Sequence, residues 1–266
     1  MNTEQITREV CRIAKETAEY IRDEGKKLKP SDVEIKGLHN FVTHVDKTAE
    51  KLIVEQLKIL LPEAGFITEE NTVNQLSDKY NWIIDPLDGT TNFIHGVPCY
   101  SISIALSSLE QIISGVVLEI NSGELFYAWQ NGPAMCNDSI IHVSLSDSLD
   151  DSLLATGFPY QDYSLTEPYL RLFGELMRTT RGIRRLGSAA VDLAYVAAGR
   201  FDAFYEYGLN PWDVAAGSFI IKQAGGVCTD FIGGTDYING KRLVASNGKI
   251  HNDLLDVINE YFERPT

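Results

Sequence analysis

A mixed α/β fold with at least two sheets is what this chain predicts, and three observations carry that expectation. Residues 3–61 hold two segments whose apolar residues recur at helical spacing. Residues 100–129 hold three β-rich runs, the last two joined by the hairpin signal Asn121-Ser122-Gly123. From residue 152 onward, short β-rich runs alternate with helical ones.

Taken in order, Ile6, Val10, Ile13, Ala14, Thr17, Tyr20 and Ile21 define an amphipathic helix near 3–28. Pro30-Ser31-Asp32 and Gly37 mark a polar, mobile connection that includes Lys36, His39 and Asn40. Asp46 is expected to open a second helix, with Leu52, Ile53, Leu57, Leu60 and Leu61 inward and Pro62 as its end. Ala64–Ile67 reads as a short strand that delivers Thr68-Glu69-Glu70, and Trp82-Ile83-Ile84 as a buried strand that runs into Asp85. Strands follow at 100–106, 112–118 and 125–129. Residues 131–150 are turn-rich, with weak strand signals only. Ser152–Ala155 is a further strand, and Gly157-Phe158-Pro159 turns the chain. Helices are expected near 165–178, 188–199, 212–224 and 249–263, with short strands at 201–205, 227–229 and 243–245. No repeat or low-complexity linker divides the chain, so residues 1–266 read as one domain, with a soft divide between two intimate subdomains near 145–150.

At 266 residues and 44% hydrophobic, the chain is long enough to bury a large core. Its net charge of −14 argues against a broad electrostatic footprint for nucleic acid or anionic lipid. Neither partner is expected. The four cysteines, Cys11, Cys99, Cys136 and Cys228, stand singly, which fits a reducing cytoplasm and neither a zinc knuckle nor a disulfide-stapled domain. No apolar run is long enough to span a membrane, and the polar start of the chain is not a signal peptide. The five histidines show no ligand spacing and read as structural or exposed. Trp82, Trp129, Tyr160, Tyr163 and Tyr169 read as core or interface residues.

Chemistry concentrates in three places. Asp85-Pro86-Leu87-Asp88-Gly89-Thr90-Thr91-Asn92-Phe93 ends the buried strand on two carboxylates, followed by residues that favour turns and helix starts. Asn210-Pro211-Trp212-Asp213 opens an Ala- and Gly-rich helix, with Asp213 in the role of its N-cap. Glu69-Glu70 follows an apolar strand. Each alone has an ordinary reading as turn, cap or surface. Were Glu69, Asp85, Asp88 and Asp213 to converge, each pair about 4 Å apart would repel by ~4 kcal/mol at an effective dielectric near 20. Such a cluster needs a cation or raised pKa values. An all-oxygen set selects magnesium first, then manganese or calcium, and magnesium commonly recruits a phosphate. Free N–H groups at Gly89 and Thr90 would complete a phosphate site.

The motif around Asp85 and the Trp212-Asp213-Val214-Ala215-Ala216-Gly217 motif together resemble the signature pair of the inositol monophosphatase family. The similarity runs over nearly the whole chain, including Lys36, Phe41-Val42-Thr43, Asp46, Glu69-Glu70 and Ile183-Arg184-Arg185-Leu186-Gly187-Ser188-Ala189-Ala190. The resemblance implies a layered αβαβα sandwich, a cytoplasmic homodimer and inhibition by lithium. It implies two or three Mg2+ ions, with Mn2+ as a substitute. The first would be held by Glu69, Asp85 and the Leu87 carbonyl, the second among Asp85, Asp88 and Asp213, and a third, weaker one near Glu69. Gly89 and Thr90 would bind phosphate, and Thr90 backed by Asp46 would orient a metal-activated water for direct attack, making Glu69, Thr90 and Asp46 the catalytic residues. Sugar hydroxyls would meet Glu206, Asp213 and the backbone near Ala189, with Arg184 as a further contact. The implied activity is hydrolysis of a small phosphate monoester, myo-inositol 1-phosphate first. A nucleotide 3′,5′-bisphosphate or fructose 1,6-bisphosphate phosphatase shares the metal signature, and a non-catalytic regulatory partner of the transcription machinery is the reading from another class. Two departures stand out: Thr68 replaces the family's usual Gly, and Asn40 replaces a usual acid near the third-ion region.

Overall fold

The chain is described by a computed structural model covering residues 2–28, 33–37, 40–73, 75–109, 111–159 and 162–262, with the backbone alone for 33–37 and 40–42. His39 and Tyr160, and the side chains of Lys36, Asn40, Phe41 and Val42, lie outside the described residues.

Helix α1 (Thr3–Gly25) starts at Asn2, whose side chain accepts the Gln5 N–H at 3.2 Å. Its buried stripe contains Ile6, Val10, Ile13, Ala14, Ala18 and Ile21, the spacing that a 3.6-residue turn requires. Residues Val33–Gly37 (β1) and Asn40–Thr43 (β2) pair antiparallel, so the polar connection expected there is a hairpin instead. Val33, Ile35, Phe41 and Val42, all strong β-formers, flank its polar centre and outweigh it. Helix α2 (His44–Leu60) begins two residues before Asp46. Thr43 is its N-cap, and Asp46 reaches back to accept the Thr43 N–H at 2.8 Å and its hydroxyl at 2.6 Å.

The first sheet follows the chain: β3 (Gly65–Thr68), β4 (Tyr80–Asp88), β5 (Ser101–Ser108), β6 (Gln111–Glu119), β7 (Leu125–Trp129), β8 (Ala134–Cys136) and β9 (Ser139–Ile140). Only β3 and β4 run parallel; the other neighbours are antiparallel. Leu118 faces Leu125 across the turn at 121–123, as the hairpin signal predicts. Between β4 and β5 lies α3 (Thr90–His95).

The second sheet is built from β10 (Leu153–Thr156), β11 (Gly182–Arg184), β12 (Ala203–Tyr207), β13 (Val227–Thr229) and β14 (Arg242–Ser246), in the order β11-β10-β12-β14-β13. Strand β11, Gly-Ile-Arg, was not expected from sequence, because it offers a single apolar residue between a glycine and an arginine. The remaining helices are α4 (Thr166–Thr179), α5 (Ala189–Ala197), α6 (Pro211–Gln223) and α7 (His251–Tyr261).

These elements stack in five layers, αβαβα. Helices α1 and α2 cover one face of the first sheet, α5 and α6 lie between the sheets, and α4 and α7 cover the far face of the second. Trp82 and Ile84 belong to the core beneath α1 and α2, Tyr169 to the core beneath α4 and α7. Helix α6, flanked by sheets on both sides, buries Val214, Ala215, Ala216, Phe219, Ile220 and Ile221 and keeps no polar face in its middle.

The approach of α6 to the first sheet is close enough to require glycine. A Cβ on Gly115 of β6 would lie 2.7 Å from the carbonyl oxygen of Ala216 and 3.1 Å from its Cα. Both are backbone atoms and cannot rotate away. Gly115→Ala should therefore destabilise the protein by about 1–3 kcal/mol, the usual cost of overpacking, as measured by urea unfolding; an unchanged midpoint would show that the middle layer shifts freely.

Candidate active site

Strands β4 and β5 pair residue for residue from Tyr80 opposite Ser108 to Asp85 opposite Ser103, and then slip, because Asp88 faces Ser101. Three steps on β4 match two on β5: a β-bulge, with Pro86, which has no N–H to offer a ladder, inside it. Residues three apart on a regular strand point to opposite faces. The extra residue cancels that alternation, and Asp85 and Asp88 come together. Gly89 then turns the chain into α3 at φ +93°, where a Cβ would lie 3.1 Å from the carbonyl oxygens of both Cys99 and Gly187.

Asp213 arrives from the middle layer. It occupies the third position of α6, not the N-cap expected from sequence; Asn210 is the cap and Pro211 the first helical residue. The Asn210 N–H donates to Asp213 Oδ2 at 2.7 Å. One carboxylate oxygen each from Asp85, Asp88 and Asp213 lie within 4.8 Å of one another. Each acid is also anchored by a local donor. Leu87 N–H donates to Asp85 Oδ1 at 2.9 Å, while Ser188 Oγ and Ala190 N–H, at the start of α5, donate to Asp88 Oδ2 at 2.6 and 2.8 Å. Ser103 Oγ donates to the Trp212 carbonyl at 3.0 Å and ties β5 to the start of α6.

Glu69 follows β3 directly. Its N–H extends the ladder to the Ile84 carbonyl at 3.2 Å, and it lines the same cavity as the three aspartates. Thr68, where the family favours Gly, is accommodated as a buried strand residue.

The electrostatics follow from burial. Asp85, 2% exposed, is pushed well above the carboxylate range by desolvation first, then by Glu69, Asp88 and Asp213. Desolvation raises Asp88 to about 6 against the hydrogen bonds from Ser188 and Ala190 and the charge of Arg185. Asp213 rises to about 7, by desolvation and then by Asp88. The group thus holds protons where solvated carboxylates would not, unless a cation replaces them. Among the described residues the cluster's side-chain donors are all carboxylate oxygens, a set suited to a hard divalent cation.

Compared with known proteins, residues 2–263 match the inositol monophosphatase family. The chain belongs to that family. A protein named Nus factor SuhB from Pseudomonas aeruginosa is 41% identical over 252 residues, 93% of each chain. Inositol-1-monophosphatase from Mesorhizobium japonicum is 40% identical over 227 residues, 85% of each. Among solved structures, the Thermotoga maritima IMPase superposes with a TM-score of 0.86 at 35% identity, over 95% of this chain and 96% of that one.

The family's other expected residues fall around one 470 Å3 cavity. Leu87, Gly89, Thr90, Ala189 and Glu206 line it together with the acids. Thr90 Oγ1 lies 3.0 Å from both Asp46 Oδ1 and the Leu87 carbonyl, and Asp46, 1% exposed, stands behind it. Burial raises Asp46 above its ordinary value. Glu206 is raised well above its own, by desolvation and then by Asp213. A Cβ on Gly157 would lie 1.9 Å from Glu206 Oε2, so any other residue there would push that carboxylate from its place in the cavity wall.

Arg184 is different. It is exposed at the end of edge strand β11 and does not line the cavity; Arg185, the next residue, does, and its guanidinium lies over the Phe158 ring at 5.6 Å. Sequence reasoning gave no role to Ser188, named only within a motif, and passed over Asp192. Asp192 is 1% exposed, lines the cavity, and its Oδ1 has no hydrogen-bond partner among the described residues. Its spacing from Ser188, one helical turn, was the available signal.

A pH dependence follows. The folded values of Asp88 and Asp213 lie above the ordinary 3.8, so the metal-free folded protein binds protons that the unfolded chain has released. That contribution to stability is full below pH 3.8 and is lost as pH rises through about 6 to 7. In chelator, the melting temperature should fall between pH 5 and pH 8, and Asp213→Asn should flatten the fall. Parallel curves for the two proteins would show that Asp213 carries no such proton.

Proposed function

We propose that this protein is a magnesium-dependent phosphatase that hydrolyses a small phosphate monoester, myo-inositol 1-phosphate, to inositol and phosphate. One observation carries the reading: in a family of phosphatases, carboxylate oxygens of the buried Asp85 and the half-buried Asp88 and Asp213 meet within 4.8 Å at the wall of one cavity. Glu69, Asp85, the Leu87 carbonyl, Asp88 and Asp213 would hold the ions. Bound there, Mg2+ would polarise the phosphoryl group, favour deprotonation of the attacking water and stabilise the leaving alkoxide.

The protein's own groups act around that centre. The amides of Gly89 and Thr90, at the start of α3, receive phosphoryl oxygens. Thr90 Oγ1, donating to Asp46 or Leu87, keeps lone pairs with which to accept a hydrogen bond from the attacking water. Asp46 Oδ1 receives the proton that Thr90 passes on. Attack is direct and in line, with no phospho-enzyme. Glu206, Asp213 and the backbone at Ala189 meet the hydroxyls of the alcohol end, and Arg185 takes the place expected for Arg184. The same reading makes the protein a cytoplasmic homodimer that lithium inhibits.

A second reading is favoured by the relative named as a Nus factor: a regulatory binding protein that keeps the fold. The two roles are separable at Asp88. Asp88→Asn should lower phosphate release from myo-inositol 1-phosphate by at least ~10²-fold, the scale of losing one preorganised electrostatic group, and removal of Mg2+ should abolish it. Wild-type activity in the variant would refute the metal-site mechanism. A substrate panel that ranks adenosine 3′,5′-bisphosphate or fructose 1,6-bisphosphate above inositol phosphates would replace the substrate.

A further inference from the structure

Helix α2 carries a second buried acid one turn after Asp46. Glu50 is 0% exposed, does not line the cavity, and is outside the set of ligands and contacts described above. Burying a carboxylate is costly unless it is well hydrogen-bonded, and this one is. Its Oε2 accepts the Glu70 N–H at 2.8 Å. Its Oε1 accepts the Thr72 N–H at 2.8 Å and the Thr72 hydroxyl at 2.6 Å.

All three donors belong to the turn that begins immediately after Glu69. That turn is unusual in its backbone: Asn71 sits at φ +53°, a left-handed conformation for a non-glycine residue. Asn71 Nδ2 donates back to the Glu69 carbonyl at 3.1 Å and helps close it. The chain therefore winds around one carboxylate, which satisfies two consecutive-but-one amides at once. An apolar residue of the same volume would fill the space but leave those amides without acceptors. On the near side, Glu69 is held by its own N–H to the Ile84 carbonyl. Glu50 supplies the far side.

Asp46 and Glu50, four residues apart, share a face of α2. Through Asp46 that face reaches Thr90, and through Glu50 it reaches the turn behind Glu69. We propose that Glu50 is a positioning residue for the divalent-ion site, its carboxylate fixing the 69–72 turn and thereby the side chain of Glu69. This rests on the reading above in which Glu69 is a metal ligand.

The test uses the full-length protein and Glu50→Gln. The substitution keeps the volume but presents an NH2 group to one of the amides that need an acceptor. Amide exchange in the 69–73 segment should accelerate at least tenfold, with the rest of α2 unchanged. In calorimetric titration with MgCl2 alone, the dissociation constant should rise ~10- to 100-fold, the range for a residue that orients a ligand. The Mg2+ concentration for half-maximal hydrolysis should rise in step, while kcat at saturating Mg2+ stays within a few-fold of wild type. Thr72→Val, which deletes only the hydroxyl donor, should move the same quantities in the same direction by less, and decides the matter if the Gln variant does not fold. A lowered melting temperature with unchanged Mg2+ affinity would reduce Glu50 to a structural role and overturn the proposal. Absence of Mg2+ binding by the wild-type protein would instead refute the reading of Glu69 as a ligand.

Discussion

Asp85 and Asp88 are three residues apart on β4, a spacing that sends side chains of a regular strand to opposite faces, and the bulge across Pro86 is what allows both to meet Asp213. Once they meet, they repel. At separations near 4–5 Å and an effective dielectric near 20, each ionised pair costs about 3–4 kcal/mol. A hydrogen bond to a charged group returns about 1.5–3 kcal/mol, and each aspartate has one or two such donors. Those bonds also have to offset the loss of hydration. Donors alone thus cannot keep three ionised acids in one cavity, and the balance must be made by protons or by a cation. The raised values of all three acids are the metal-free form of that statement.

The layered fold explains why the acids can be held so firmly. Strands β3 and β4 are parallel, so Glu69 and the Asp85–Asp88 bulge leave the sheet at the same end. Four helices then begin there. Asp46 lies in the first turn of α2, Thr90 opens α3, Ala189 opens α5 and Asp213 lies in the first turn of α6. Helix N-termini carry partial positive charge and favour anions. Within a chain of net charge −14, that convergence, with Arg185 at the cavity wall, supplies the local positive potential that a phosphate would need.

The long, strongly periodic elements were legible in the sequence: α1 from its buried stripe, β4 from Trp82-Ile83-Ile84, and the hairpin at 121–123 from its turn residues. Strands β1, β2, β8, β9 and β11 were not: β1 and β2 flank a polar, glycine-containing connection, β8 and β9 lie in the turn-rich 131–150 stretch, and β11 is a single Gly-Ile-Arg with one apolar residue. In the site, the acids stood out through their motifs. Residues that act from behind did not. Glu50 reads as one more polar position on a surface helix, and Asp192 as a polar residue in an Ala-rich run; only the packing shows that both are buried. Arg184 and Arg185 are indistinguishable in sequence, and only the folded chain shows that Arg185, just past the end of β11, lines the cavity.

Capping explains why the ordinary and the functional readings of these acids never excluded each other. Asp46 and Asp213 both occupy the third position of a capping box, and each uses one oxygen to hold its own helix start. A carboxylate has two oxygens. In Asp46 the second receives Thr90, 44 residues away, and Asp213 offers an oxygen to the cluster with Asp85 and Asp88. Asp230 and Glu119 show the alternative. Among the described residues Asp230 accepts from Ile232 and Gly234, and Glu119 from Asn121 and Ser122, all within their own turns, so both remain turn formers. Asp46 and Asp213 hold their own helix starts through Oδ2, whereas Glu119 spends both oxygens on its own turn. What separates an acid that only shapes the local chain from one that also serves a site is therefore whether one of its oxygens is met by a group from a distant part of the chain.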